Sequence, residues 1–104
     1  MFNSIALVGG THGNETSGIQ LIRNWQQFGL PSRFNELNVS LSIANEAAIA
    51  ANVRFVDEDL NRQFTFERLS DNNSAKEAEL AKALNQKLGP KGDSNTDLVI
   101  DIHN

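Results

Sequence analysis

The 104 residues predict an α/β fold, a largely parallel sheet with flanking helices, and three observations carry that reading. Short strand-like runs stand at residues 4–8, 39–43 and 98–102. Helical spacing or helix-start signals fill the intervals between them, and strand and helix alternate along the whole chain, the pattern of strand–helix–strand units.

Ser4-Ile5-Ala6-Leu7-Val8 is an apolar run closed by Gly9-Gly10, the mark of a buried strand that ends in a tight turn. Ile19, Ile22, Trp25 and Phe28, with Leu21 beside them, then recur at helical spacing from about Glu15, and Gly29 before Leu30-Pro31 is a stop signal. Val39, Leu41 and Ile43 alternate with Ser40 and Ser42, so the second strand has one more polar face. It ends at Ala44-Asn45, where Asn45 is placed to cap a short helical turn through Glu46-Ala47-Ala48-Ile49. From Asn52 to Phe66 no period is sustained, and an ordered loop is expected.

Ser74 and Glu77 have the spacing of a capping box ahead of Leu80, Ala81, Leu84 and Leu88, with Gly89-Pro90 as terminator. A polar link, Lys91 to Thr96, leads into Leu98-Val99-Ile100-Asp101-Ile102, which runs straight into His103-Asn104. The pattern does not order the strands.

Length allows one small domain, residues 1–104. An apolar fraction of 39% with 21% charged residues is enough to bury a core and keep the chain soluble. Nine Lys and Arg against thirteen Asp and Glu, with no basic run, argue against a nucleic-acid partner. The absence of Cys excludes disulfides and thiolate metal sites. No secretory signal or membrane-length apolar run is present, so a cytoplasmic protein without membrane association is expected.

The two histidines, His12 and His103, each lie just beyond the carboxyl end of a predicted strand, where open α/β sheets place their ligand sites. Glu15 follows His12 by three residues, so a helical start lets both side chains reach one point. Two imidazoles and a carboxylate are the ligand set of a catalytic zinc site with a position left for water. The residues alone leave a plainer reading open: a surface His beside a helix-starting Glu, and a satisfied core His at a strand end. The glycines of Gly9-Gly10-Thr11-His12-Gly13 lack the G-x-G-x-x-G and Gly-Lys-Ser/Thr spacings of phosphate loops, which disfavours a nucleotide site.

The stretch from Asn52 to Phe64 also has two readings, a solvated charged loop or a substrate-binding segment. In the second, Arg62 grips a carboxylate through two parallel hydrogen bonds, Asn61 adds a directional one, and Arg54 faces a carbonyl under attack. Asp57, Glu58 and Asp59 are then available to orient the arginines.

Gly9-Gly10-Thr11-His12-Gly13-Asn14-Glu15, Arg54 leading into Asp59-Leu60-Asn61-Arg62-Gln63-Phe64, and Asp101-Ile102-His103-Asn104 together resemble the aspartoacylase and succinylglutamate desuccinylase family, in family order across essentially the whole chain. The resemblance implies a zinc carboxypeptidase-like fold. It implies one Zn2+ per chain on His12, Glu15 and His103, carbonyl polarisation by Arg54, and substrate α-carboxylate binding by Asn61 and Arg62. Asn104, where desuccinylases tend to have Thr, looks like the aspartoacylase branch.

The implied reaction is zinc-dependent amide hydrolysis of a small-molecule N-acyl amino acid, with N-acetyl-aspartate, giving aspartate and acetate, the favoured substrate. Two departures accompany the resemblance. Glu46 stands where many members have Pro, and no acidic residue of the chain matches the family's general-base glutamate. Residues 1–104 are therefore expected to be the amino-terminal part of a longer catalytic domain, weak or inactive alone. The rival expectation is a non-catalytic metal- or carboxylate-binding module. Leu98, Ile100 and Ile102 are expected to face water on an open sheet edge, and the chain to associate as a homo-oligomer.

Overall fold

The computed structural model describes residues 3–34, 36–91 and 96–104, with only the backbone of Arg33. Three strands, β1 (Ser4–Gly9), β2 (Asn38–Ile43) and β3 (Leu98–Ile102), form one sheet in the order β2-β1-β3. Both pairings are parallel, with Ile5 opposite Val39 on one side and Leu98 on the other. The helices are α1 (Thr16–Phe28), α2 (Glu46–Ala51), α3 (Phe66–Ser70) and α4 (Lys76–Leu88). The expected fold class holds.

The alternation of side chains along β1 divides the core into two layers. Val8 joins Ala44, Leu60, Ala81 and Leu84 on one face, under α4, with Phe64, Leu69, Leu80 and Leu88 packed at its margin. On the other face Ile5 and Leu7 meet Trp25 of α1, and Ile19 and Ile22 are buried. Helices thus cover both faces. Leu60 and Ile22 are wholly enclosed, and burial of such a side chain contributes roughly 1.5–3 kcal/mol.

Both long helices end where their glycines stand: the Gly29 N–H donates to the Trp25 carbonyl and the Gly89 N–H to the Asn85 carbonyl, each at 2.8 Å. The Asn45 side chain caps α2 by accepting from the Ala48 N–H at 3.3 Å. The capping box expected at Ser74 and Glu77 does not form. Helix α4 starts at Lys76 after Ala75, with no side-chain cap, and Glu77 turns away from its own helix end into the interior. A carboxylate that finds better donors elsewhere leaves the cap unmade.

The interval from Asn52 to Phe66 is an ordered loop, as expected, with a 3₁₀ turn, Leu60–Arg62, capped by Asp59. A short helix absent from the sequence reading, α3, begins at its last residue and is capped by the Thr65 side chain. Another 3₁₀ turn occupies Ser32–Phe34. Residues 92–95 of the expected polar link lie outside the described residues.

On the edge strand β3, Val99 and Ile100 are exposed, whereas Leu98 and Ile102 are only half-buried. The expected exposed row is corrected to Ile100 on one face and Val99 on the other, and at the strand end α1 packs against Ile102 through Gly18. No helix among the described residues is long and apolar enough to cross a membrane.

Candidate metal centre

Strand order β2-β1-β3 sends the chain from β1 to one side and returns it on the other, so the crevice beyond the carboxyl ends of β1 and β3 is a topological switch point. His12 follows β1 and His103 follows β3, and their rings meet edge-on with centroids 5.2 Å apart. Glu15 lies between them. Its Oε2 is 2.7 Å from His12 Nδ1 and its Oε1 3.1 Å from His103 Nδ1. One ligand atom from each of the three residues can be chosen so that all lie within 4.8 Å of one another.

Backbone packing brings the three together. A Cβ on Gly13 would stand 2.2 Å from the Ala48 carbonyl carbon, so only glycine lets the His12 loop rest directly on α2. The Gly13 N–H also donates to the Arg54 carbonyl at 3.2 Å, tying the loop to residue 54. At the other strand, Gly18 permits α1 to approach Ile102, where a Cβ would fall 2.7 Å from the carbonyl oxygen. Asn104 fastens this junction twice: its N–H donates to Glu15 Oε1 and its Oδ1 accepts from the Ser17 N–H, each at 3.0 Å. Helix α1 thereby receives a cap from the far end of the chain.

Each imidazole has a second carboxylate on its outer nitrogen. His12 Nε2 is 2.8 Å from Asp59 Oδ1, and His103 Nε2 is 2.9 Å from Asp101 Oδ2. Asp101 in turn accepts from the Thr11 hydroxyl at 2.7 Å. A neutral imidazole has one N–H to give, so a ring between two carboxylates sets one nitrogen lone pair against an oxygen. A cation on the Nδ1 side of both rings resolves that conflict, with Asp59 and Asp101 taking the remaining N–H groups. This carboxylate–histidine pairing is how metal-binding imidazoles are oriented, and the donors present fit a metal ion.

The electrostatics are those of a carboxylate cluster held ionised. Burial raises the Glu15 carboxyl, but the Asn104 N–H and the two histidines outweigh it and hold it below the usual value. Asp59 is likewise raised by burial and lowered further by His12, the Asn61 N–H and Arg54. His103 is lowered by burial and, more strongly, raised by Asp101 and Glu15. Arg54 lies over the group, NH1 3.4 Å from Glu15 Oε2 and Nε 3.7 Å from Asp59 Oδ2.

Of the residues singled out in the sequence, His12, Glu15, His103 and Arg54 converge. Asn61 and Arg62 are exposed on the 3₁₀ turn after Asp59, and Asn61 lines a cavity of about 440 Å³ with Thr11, Phe64, Val99 and Asp101. Among the acidic trio, Asp59 does face Arg54, but its shorter bond is to His12. Glu58 pairs with Arg68 and Asn73, and Asp57 accepts from the Lys76 N–H. Asp101 escaped the sequence reading. Its signal was there: a lone charge in an apolar strand, two residues from His103 and therefore on the same face.

A parallel α/β sheet with two histidines and a glutamate at its switch point defines the class, a zinc carboxypeptidase-like fold. Residues 2–104 match the model of the succinylglutamate desuccinylase/aspartoacylase catalytic domain, and the chain belongs to that family. It is 43% identical over 103 residues to a probable aspartoacylase of Trichodesmium erythraeum, covering 97% of this chain and 35% of that protein. It is 40% identical over 105 residues to the N-acyl-aromatic-L-amino acid amidohydrolase (carboxylate-forming) of Xenopus laevis, covering 98% of this chain and 34% of that one. Murine aminoacylase 3 superposes with a TM-score of 0.85 at 38% identity, over 98% of this chain and 35% of its own. The succinylglutamate desuccinylase of Vibrio parahaemolyticus, at 22% identity and TM-score 0.74 over 98% of this chain and 30% of its own, shares the fold. The chain spans about a third of the length of the curated relatives it matches.

Proposed function

We propose that His12, Glu15 and His103 hold one zinc ion, and that the site serves hydrolysis of the amide bond of an N-acyl amino acid, with N-acetyl-aspartate the first substrate to test. The observation that carries this reading is the double carboxylate–histidine arrangement, Asp59 behind His12 and Asp101 behind His103, around a shared Glu15. The relatives' names, aspartoacylase and N-acyl-aromatic-L-amino acid amidohydrolase, support the reaction class. Zinc at such a site supplies Lewis acidity toward a carbonyl oxygen and toward water.

The chain's own residues do the rest of the positioning. Asp59 and Asp101 fix which nitrogen of each ring carries the proton and so keep both Nδ1 lone pairs turned to Glu15. Arg54, half-exposed above Glu15, presents its guanidinium where negative charge develops on the carbonyl oxygen during attack. Arg62 and Asn61, exposed on one turn, offer a planar fork and an amide to the substrate carboxylate.

A second reading, a metal- or carboxylate-binding module without catalysis of its own, has a specific observation in its favour. Glu15, Asp59 and Asp101 are all engaged by histidines and Glu77 by backbone amides, so none of these carboxylates is placed to carry a proton to a leaving amine.

The deciding experiment is zinc analysis of the purified chain, with acetate release from N-acetyl-aspartate assayed on the same sample. One zinc per chain with slow or absent turnover supports the site and the module reading for residues 1–104. Turnover within the ordinary enzyme range, roughly 1–10³ per second, supports catalysis by these residues alone. A zinc-free protein that takes up none refutes the site. In an active protein, Arg62→Lys is expected to raise KM strongly with kcat less affected, because an ammonium offers one point charge in place of two parallel bonds.

A further inference from the structure

We propose that Glu77 is a positioning residue for the metal site, fixing the loop that orients His12 rather than serving the helix on which it stands. The proposal rests on the zinc reading above, and its test separates the two.

Glu77 occupies the first turn of α4 and is wholly buried. Its Oε1 accepts from the backbone N–H groups of Asp57 and Glu58 at 2.8 and 2.9 Å. Its Oε2 accepts from the Val56 N–H and from Asn45 Nδ2, both at 2.8 Å. Four donors use the full capacity of an ionised carboxylate. Three successive amides converging on one anion form a nest, here filled by a side chain twenty residues away in sequence from Asp57.

The residue after this nest is Asp59, the partner of His12 Nε2. Two residues before it is Arg54, whose carbonyl accepts from Gly13 in the His12 loop. The fourth donor, Asn45, caps α2, the helix on which the Gly13 backbone rests. One carboxylate therefore joins both supports of His12: the loop bearing Arg54 and Asp59, and the helix beneath the histidine's own turn. Among the described residues His103 is reached from these supports only indirectly, through the Thr11–Asp101 hydrogen bond and the shared Glu15, so the effect of Glu77 should be larger at His12 than at His103.

A buried carboxylate could also be retained for stability alone, and the two roles give different results. In Glu77→Gln an amide NH₂ faces backbone donors, and the nest must open. We expect zinc affinity, measured by competition with a chromophoric chelator, to fall about ten- to a hundredfold. The His12 ring nitrogen signals in long-range ¹H–¹⁵N spectra should move, and by more than those of His103. Ala83→Gly, which weakens the same helix at an exposed position away from the loop, should lower the thermal midpoint and leave both readouts alone.

Wild-type zinc affinity and unmoved His12 signals in Glu77→Gln would overturn the proposal, as would an equal loss of zinc affinity in Ala83→Gly. If the wild-type chain takes up no zinc, the metal reading fails on its own; the His12 signals of the zinc-free Glu77→Gln protein then decide, selective movement sustaining the proposal and no movement overturning it. If Glu77→Gln does not fold, Asn45→Ser keeps a cap on α2 while removing one donor to Glu77. It should produce a smaller selective shift at His12, and its absence counts against the proposal in the same way.

Discussion

His12 and His103 bring the same ring to the same carboxylate, yet the side chain of one is 3% exposed and that of the other 32%. The difference lies in what stands behind each. His12 is braced by α2, by the 54–59 loop and, through that loop, by Glu77, so the ring is part of the interior. His103 rides the end of an edge strand and is held by Asp101 two residues earlier, by Glu15, and by the Asn104 contacts to α1. A ligand can thus be built into the core or hung on its margin, and the cost of removing it should follow that placement rather than its bond to a metal.

The largest effects break the comparison outright. Replacing both histidines by Ala is expected to abolish zinc binding, and unchanged zinc content in that double variant would refute the ligand assignment. The single variants should part company on stability: His12→Ala loses zinc and lowers the thermal midpoint, since it leaves Asp59 without its buried partner, whereas His103→Ala loses zinc and melts near wild type. Equal midpoints for the two would dissolve the distinction between core and margin.

Acid should weaken the braced half through Glu77. Burial pushes the Glu77 carboxyl up, but hydrogen bonds from the Glu58 N–H, Asn45, the Val56 N–H and the Asp57 N–H together bring it down to about 2 from an ordinary 4.5. A folded-state value below the unfolded one means stability that is fully present above pH 4.5 and lost as pH falls from there toward 2. The shift corresponds to roughly 3 kcal/mol. Denaturant titrations of the zinc-free protein at stepped pH should show this slope in wild type and a flatter one in Glu77→Gln; identical slopes would mean that other carboxylates dominate acid unfolding.

A smaller effect compares the outer partners of the two rings. Asp59→Asn and Asp101→Asn should each weaken zinc binding by about ten- to a hundredfold, with Asp59→Asn the more harmful because its carboxylate also faces Arg54 and the Asn61 N–H. A reversed ranking by chelator competition would place the stronger orienting contact on the margin. The smallest effect concerns the edge. Ile100→Lys should change stability by no more than about 0.5 kcal/mol, yet reduce the self-association expected of an open apolar strand, as read by light scattering. A wild-type protein that is monomeric at all concentrations removes the basis for that expectation.

How much of this was legible in the sequence follows the same division. Strands, long helices and both histidines announced themselves, because apolar period, glycine stops and strand-end placement are local signals. The two histidines and Glu15 needed only the assumption that strands run parallel. What escaped was whatever depended on partners distant in sequence. The spacing of Ser74 and Glu77 fits a capping box, but no local rule reveals that three amides from residues 56–58 compete for that carboxylate. Helix α3, five residues long, is too short to show a period, although Thr65 was available as its cap. Strand order, which creates the crevice, belongs to the assembled sheet.

Glu15 and His103, proposed as ligands of one ion, are separated by 88 positions, and every strand pairing in the sheet is parallel and non-local. Such a topology closes slowly, since large loops must be ordered before the contacts that reward them exist. An ion that needed all three donors would have no complete site until β3 had docked beside β1. Uptake of the proposed ion would then report the docking of β3 on β1, and its mass-action pull would fall on that pairing.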